Sequence, residues 1–122
     1  MLVQTTRLQD ESIEESRKQI MTLHKIAYNT CYGGFSLSEK AKMLYRELTG
    51  MKEDDYLDVH DIPRHDPVLI SVIEKLGAEA NGSFANIAIR TINSPAYRIK
   101  EYDGVEKVIT IDEEKYIYIE EE

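Results

Sequence analysis

Excess positive charge is the first thing this sequence lacks. Fifteen lysines and arginines stand against 23 aspartates and glutamates, a formal net charge of −8 at pH 7. That balance speaks against the clustered basic footprint that a nucleic-acid duplex demands. Cysteine occurs once, as Cys31, which excludes an internal disulfide and any multi-cysteine zinc site. No apolar run approaches the roughly 18 residues of a membrane span. Met1-Leu2-Val3-Gln4 passes straight into polar sequence, without the apolar core of a secretory signal. Repeats and low-complexity linkers are also missing. Tryptophan is absent and phenylalanine occurs twice, so aromatic contacts fall to eight tyrosines. Their flat bodies and polar tips suit subunit interfaces and ligand pockets alike. The 122 residues, 42% of them hydrophobic, predict one domain spanning 1–122, in a soluble acidic protein of a reducing compartment, the cytosol.

The pattern along the chain predicts an α+β fold: a short N-terminal strand, about three helices, then a C-terminal antiparallel sheet of three to four strands. Leu2 to Leu8 carries the partial alternation and β-branching of a strand. Asp10 to Ser12 opens a helix, with Ser12 and Glu15 at capping-box spacing. Ile13, Ile20, Leu23 and Ala27 follow as one helical stripe ending near Asn29-Thr30. Ser36 with Glu39 suggests a second capped helix with Leu37, Ala41, Leu44 and Leu48 on its buried side and Gly50 as its stop. The acidic stretch from Glu53 to Asp61 reads as a solvated connection with a short helical turn. Asp66-Pro67 starts a third helix, with Leu69, Val72, Ile73 and Leu76 inward and Gly77 or Asn81-Gly82 at its end. Beyond Gly82 the period becomes two: Ile87 and Ile89 face one way, and Ala88, Arg90 and Ile92 the other. Ser94-Pro95 breaks that run. Tyr97 to Tyr102 and Val105 to Ile111 then flank an Asp103-Gly104 hairpin turn. Tyr116 to Ile119 offers a last strand before an acidic end.

Three blocks carry groups suited to an anionic, ring-bearing ligand. In Asn29-Thr30-Cys31-Tyr32-Gly33-Gly34-Phe35-Ser36, two glycines between aromatics precede a helix start, so backbone N–H groups can approach a phosphate while Tyr32 and Phe35 stack. The alternative is a tight turn whose aromatics fill the core. In Pro63-Arg64-His65-Asp66-Pro67, Arg64 and His65 sit beside helix N-terminal donors, an arrangement for pyrophosphate or an ordinary capped start. In the block from Asn81 to Asn93, Phe84 stands at a loop-to-strand junction, and Asn86 and Arg90 share a polar strand face near Asn93. That face suits base stacking and phosphate pairing, or simply solvent. Asp58, His60, Asp61, His65 and Asp66 crowd together without the i, i+4 spacing of a histidine metal motif, so no metal or other cofactor is expected. Cys31 beside the histidines carries no nucleophile signature and reads as a small hydrophobe.

Taken together, the runs Ile26 to Ser38 (with Tyr32-Gly33-Gly34-Phe35-Ser36), Arg64-His65-Asp66-Pro67-Val68-Leu69-Ile70, Leu76 to Gly82 and Ile99 to Glu106 resemble small phage-encoded proteins of the first Thoeris anti-defence family. The likeness in motif order extends from about Leu23 to Val108. It implies a sponge that binds the cyclic ADP-ribose isomer made by the bacterial Thoeris TIR protein and withholds it from its effector without degrading it. It also implies an affinity of some members for cyclic oligonucleotides, assembly as a homodimer or dimer-based hexamer, and work in the cytoplasm of an infected bacterial host. Within the matching blocks, chemistry selects Asn29, Tyr32, Phe35, Arg64, His65, Phe84, Asn86, Arg90 and Asn93 as ligand-binding and no residue as catalytic. A cyclic ADP-ribose presents an adenine, two riboses and a pyrophosphate, which those rings, amides and cations match. Local basic groups serve even in an acidic chain, because screening near 8 Å separates them from remote carboxylates.

Two other classes compete. One is a small enzyme acting on a nucleotide or phosphodiester through His65 with Asp66, or through a metal at the acidic loop. The other is a phage structural or interaction protein that uses its tyrosines at interfaces.

Overall fold

The computed structural model describes residues 23–113. The expected strand over Leu2–Leu8, the helix opening at Asp10 to Ser12 and the last strand at Tyr116–Ile119 lie outside the described residues. Within them the order is strand β1 (His24–Asn29), helix α1 (Glu39–Thr49), a 3-10 turn (Val59–Asp61), helix α2 (Pro67–Leu76), a second 3-10 turn (Gly77–Ala80), and strands β2 (Ile87–Ile92), β3 (Tyr97–Tyr102) and β4 (Val105–Thr110). This is the α+β class that the pattern predicts.

The stretch carrying Ala27 is a strand and not the end of a helix. Its pairing with β2 is antiparallel, from His24 opposite Ile92 to Asn29 opposite Ile87. The helix-like spacing misleads because both faces of β1 are covered. Ala27 packs among the helices, while Ile26 turns the other way onto Ile92 and Val108. A strand buried on both sides shows no clean alternation, and its pairing outweighs local propensity.

The antiparallel strands also divide differently from the single sheet expected. β2 joins β1 from the N-terminal side, while β3 and β4 form their own ladder, from Tyr97 opposite Thr110 to Tyr102 opposite Val105. Ser94-Pro95 breaks the chain between β2 and β3, as predicted. Asp103 and Gly104 both take positive φ, 53° and 88°, the conformation a two-residue turn requires to match the strand twist. β4 lies against β1, so the two ladders share the small core of Ile26, Ile92 and Val108, with Tyr28, Tyr97 and Ile99 packed on it.

Ser38, two residues beyond the expected Ser36, caps α1, its hydroxyl accepting from Ala41 N at 3.1 Å. Ser36 is taken by a different partner: Gly82 N donates to its carbonyl at 3.0 Å. Leu37 forms a β-bridge with Asn81. The buried side of α1 is correspondingly turned, with Ala41 and Tyr45 inward and Leu48 half exposed. Gly50 ends the helix at φ 77°, donating to Arg46 and Glu47 carbonyls. Asp66 caps α2 as predicted, accepting from Val68 N at 3.0 Å, and Leu69, Ile70, Val72 and Ile73 enter the main core. The acidic connection contains the expected helical turn, whose Val59, followed by Ile62, is anchored in that core while Tyr56 is exposed.

Candidate functional site

Two of the three ligand-type blocks run side by side. Thr30 N and Thr30 Oγ1 both donate to the Asn86 carbonyl at 2.8 Å. Farther along, Ser36 meets Gly82, Leu37 meets Asn81, and Ser38 N donates to the Ala80 carbonyl at 2.9 Å. Between these contacts, Gly33 passes so close to Phe84 that a Cβ at position 33 would lie 2.1 Å from the Phe84 carbonyl oxygen. Gly104 of the hairpin turn approaches Tyr32 equally closely: a Cβ there would lie 2.1 Å from the Tyr32 carbonyl oxygen. Glycine is required at both places because backbone occupies the space of a side chain. Three loops, around residues 31–34, 82–86 and 103–104, therefore abut at one end of the strands.

Asn29, completely buried, ties them together. Its Nδ2 donates to the Cys31 carbonyl and to the Gly104 carbonyl, the latter at 2.8 Å, while its Oδ1 accepts from Asn86 N at 2.8 Å and from Cys31 N at 3.2 Å. Every polar atom of this amide is matched, as burial requires. Asn29, expected as a ligand contact, is thus buried beneath the loops and holds them together. Around the knot, Tyr32 (72% exposed), Phe84 (74%) and Tyr102 (84%) stand in solvent. Phe84 does so with φ at 61°, a left-handed backbone uncommon for a bulky residue.

The third block supports this end from within. Arg64 Nη1 and Nη2 donate to Glu106 Oε1 and Oε2 at 2.5 and 2.9 Å, and both side chains are largely buried. Arg64 also spreads its guanidinium over the Phe35 ring, 3.7 Å from the centroid. Glu106 Oε1 accepts from Asn29 N at 2.9 Å, and Ala27 N donates to the Arg64 carbonyl at 2.9 Å. Phe35, expected as a stacking surface, is a core residue roofed by Arg64. The guanidinium expected at a phosphate is already matched by a carboxylate.

His65 is exposed, and its Nδ1 lies 2.6 Å from the Tyr97 hydroxyl with the rings edge to face. Burial pushes the Tyr97 hydroxyl above the ordinary tyrosine range, with the nearby Arg64 charge pulling the other way. Arg90 lies in the middle of β2 and Asn93 just beyond its far end. From Ile87 the chain advances about 10 Å to Arg90 and about 20 Å to Asn93 at 3.3 Å per residue, so Asn93 is well removed from the Tyr32–Phe84 end. Arg90 and Asn93 line a depression of about 420 Å³ with Leu23 and Thr110. Arg90 Nη1 donates to the Val108 carbonyl, and the guanidinium pairs with Glu113, which holds the Glu113 carboxyl below its usual range.

Residues the sequence reading passed over complete the loop end. The outer face of the β3–β4 hairpin carries Lys100, Tyr102, Val105, Lys107 and Ile109, which with Asp103 line a shallow cavity of about 580 Å³. Lys100 and Lys107 are directly opposed across the two strands. The turn at Asp103-Gly104 already fixes that pairing, so the signal was present in the sequence. Among the described residues no group of three His, Cys, Asp or Glu side chains is placed to hold a metal ion. Asp66 is engaged by Val68 N and the Tyr45 hydroxyl, and Asp58 by His60 N. Nor is any described helix long and apolar enough to cross a membrane. No protein family model, curated protein or solved structure matches the chain.

Proposed function

We propose that the protein is a non-catalytic sponge that binds a cyclic ADP-ribose-type signal and withholds it intact, acting in the cytoplasm of a phage-infected bacterium against Thoeris-type immunity. The observation that carries this reading is the loop end itself. Three loops from distant parts of the chain are locked by one buried asparagine, and their work is to hold Tyr32, Phe84 and Tyr102 in water. Exposed rings on a rigid backbone make a stacking platform whose ordering entropy is already spent before binding. The blocks that resemble the first Thoeris anti-defence family are the ones that meet here.

The site is shared between copies of the chain. Tyr32, Phe84 and Asn86 stand at one end of β2 and Asn93 just beyond the other, so a ligand that uses both bridges two protomers. A homodimer or dimer-based hexamer supplies that arrangement, which favours a symmetric assembly. Titration calorimetry with the cyclic ADP-ribose isomer tests the reading: saturable binding with a stoichiometry set by the oligomer supports it. Absence of binding to this isomer and to cyclic oligonucleotides overturns it.

A further inference from the structure

We propose that Lys100, Lys107 and Tyr102, on the outer face of the β3–β4 hairpin, form a subsite for the phosphates of a nucleotide-type ligand, with Tyr102 beneath its ring. This rests on the reading of the protein as a nucleotide binder and names the residues that take the anion. Two lysines opposite each other across an antiparallel pair repel and destabilise the hairpin. Neither has a carboxylate partner among the described residues, although the chain is acidic overall. The hairpin's own acids do not relieve the repulsion. Glu101 and Glu106 oppose each other in the adjacent register position, on the other face, where Glu106 is committed to Arg64. Among the described residues Asp103, at the turn, is the one carboxylate lining the cavity, and Arg98 on the same face is already engaged.

A group with two or more negative charges seated between the ammoniums converts this repulsion into attraction. The neighbouring cavity of about 580 Å³ falls within the range of small-molecule sites. Tyr102, two residues from Lys100 and therefore on the same face, adds the aromatic surface that distinguishes a nucleotide from a bare anion. The platform of Tyr32 and Phe84 is continuous with it through the contact of Gly104 with Tyr32. Arg64 and Arg90, both paired internally, are thereby relieved of the phosphate role.

The test uses inorganic pyrophosphate, ADP and the cyclic ADP-ribose isomer as probes of the full chain, at low salt, by amide-resonance perturbation and calorimetry. Pyrophosphate should shift resonances of residues 100–107. Lys100→Met and Lys107→Met should each weaken it by about tenfold or more, the loss of one charge-assisted contact. Lys100→Arg should hold affinity within a few-fold, and Lys52→Met, a remote change of equal charge, should leave it unaltered. Tyr102→Ala should weaken ADP and spare pyrophosphate. No pyrophosphate binding, unchanged binding in the double lysine variant, or equal weakening by Lys52→Met overturns the subsite. So does a double variant that changes only the oligomeric mass, which assigns the face to a second copy. Cyclic ADP-ribose binding that survives in the double variant refutes the subsite alone. Pyrophosphate binding at the pair without any cyclic nucleotide binding refutes the sponge reading alone.

Discussion

Arg64 and Glu106 meet through two side-by-side hydrogen bonds in a nearly dry setting, and the same carboxylate accepts from the Asn29 backbone. The pair is the hinge between the helical layer and the hairpin, since Arg64 precedes α2 and Glu106 lies in β4. Removing one partner leaves a buried charge unmatched, at a cost of about 3–5 kcal/mol. Arg64→Ala should therefore reduce stability by that amount in urea titration. An Arg64→Met/Glu106→Gln double variant, which removes both charges and keeps an acceptor for Asn29 N, should recover most of the loss. If the folded double variant also binds ligand normally, Arg64 acts as a support and not as a phosphate contact.

Asn29→Ala should cost more than about 2 kcal/mol, because Asn86 N and the Gly104 carbonyl lose their partner at a buried position. Amide exchange should accelerate first in residues 30–34 and 82–86, the loops that the side chain ties. Uniform protection in a folded variant would show that the loops hold without the knot.

Phe84 separates stability from binding. Its left-handed φ of 61° is strained for a side chain but free for glycine, and the ring, largely in water, contributes little to the core. Phe84→Gly should leave the melting temperature unchanged or raise it, while costing about 1–3 kcal/mol of ligand binding through lost stacking. Calorimetry on the folded variant reads the second effect directly. Unchanged affinity would remove Phe84 from the site.

Tyr45 sets an alkaline limit. Burial first, then the hydrogen bond and negative charge of Asp66, push its hydroxyl up to about 12. A folded pKa above the unfolded value near 10 means that the contribution is complete below pH 10 and is lost as pH rises toward 12. Tyr45→Phe should be less stable than the parent at neutral pH. The difference should shrink between pH 10 and 12 in chemical denaturation at each pH.

Light scattering tests the shared site. A mass of at least twice the 14.1 kDa of one chain is expected at micromolar concentration, and a monomer would contradict it.

Much of the fold was legible because local signals agreed with tertiary packing. Asp66-Pro67 starts α2, Gly50 ends α1, and Asp103-Gly104 turns the hairpin, each by a rule that involves only its neighbours. The failures occur where long-range pairing decides. Residues 24–29 adopt β1 because β2 and β4 cover them, and Ser36 yields the cap to Ser38 because Gly82 and Asn81 hold the preceding segment. Of the candidate site, the exposed rings were legible. Tyr32 and Phe84 could be nominated as rings beside glycine, and both prove exposed. Nothing local announced that Glu106 would take Arg64, or that Phe35 would lie under that guanidinium, since the partners are 42 residues apart in the first case.

The most direct test of the central claim is release of the ligand on heating. The protein is incubated with the cyclic ADP-ribose isomer, freed of excess by filtration, heated to denature, and the supernatant is resolved by chromatography and mass spectrometry. Chemically intact isomer is expected, in amounts stoichiometric with the oligomer's sites, and little from protein carrying Phe84→Gly. Hydrolysed or otherwise altered ligand would establish an enzyme in its place, and an empty supernatant from wild-type protein would contradict binding altogether.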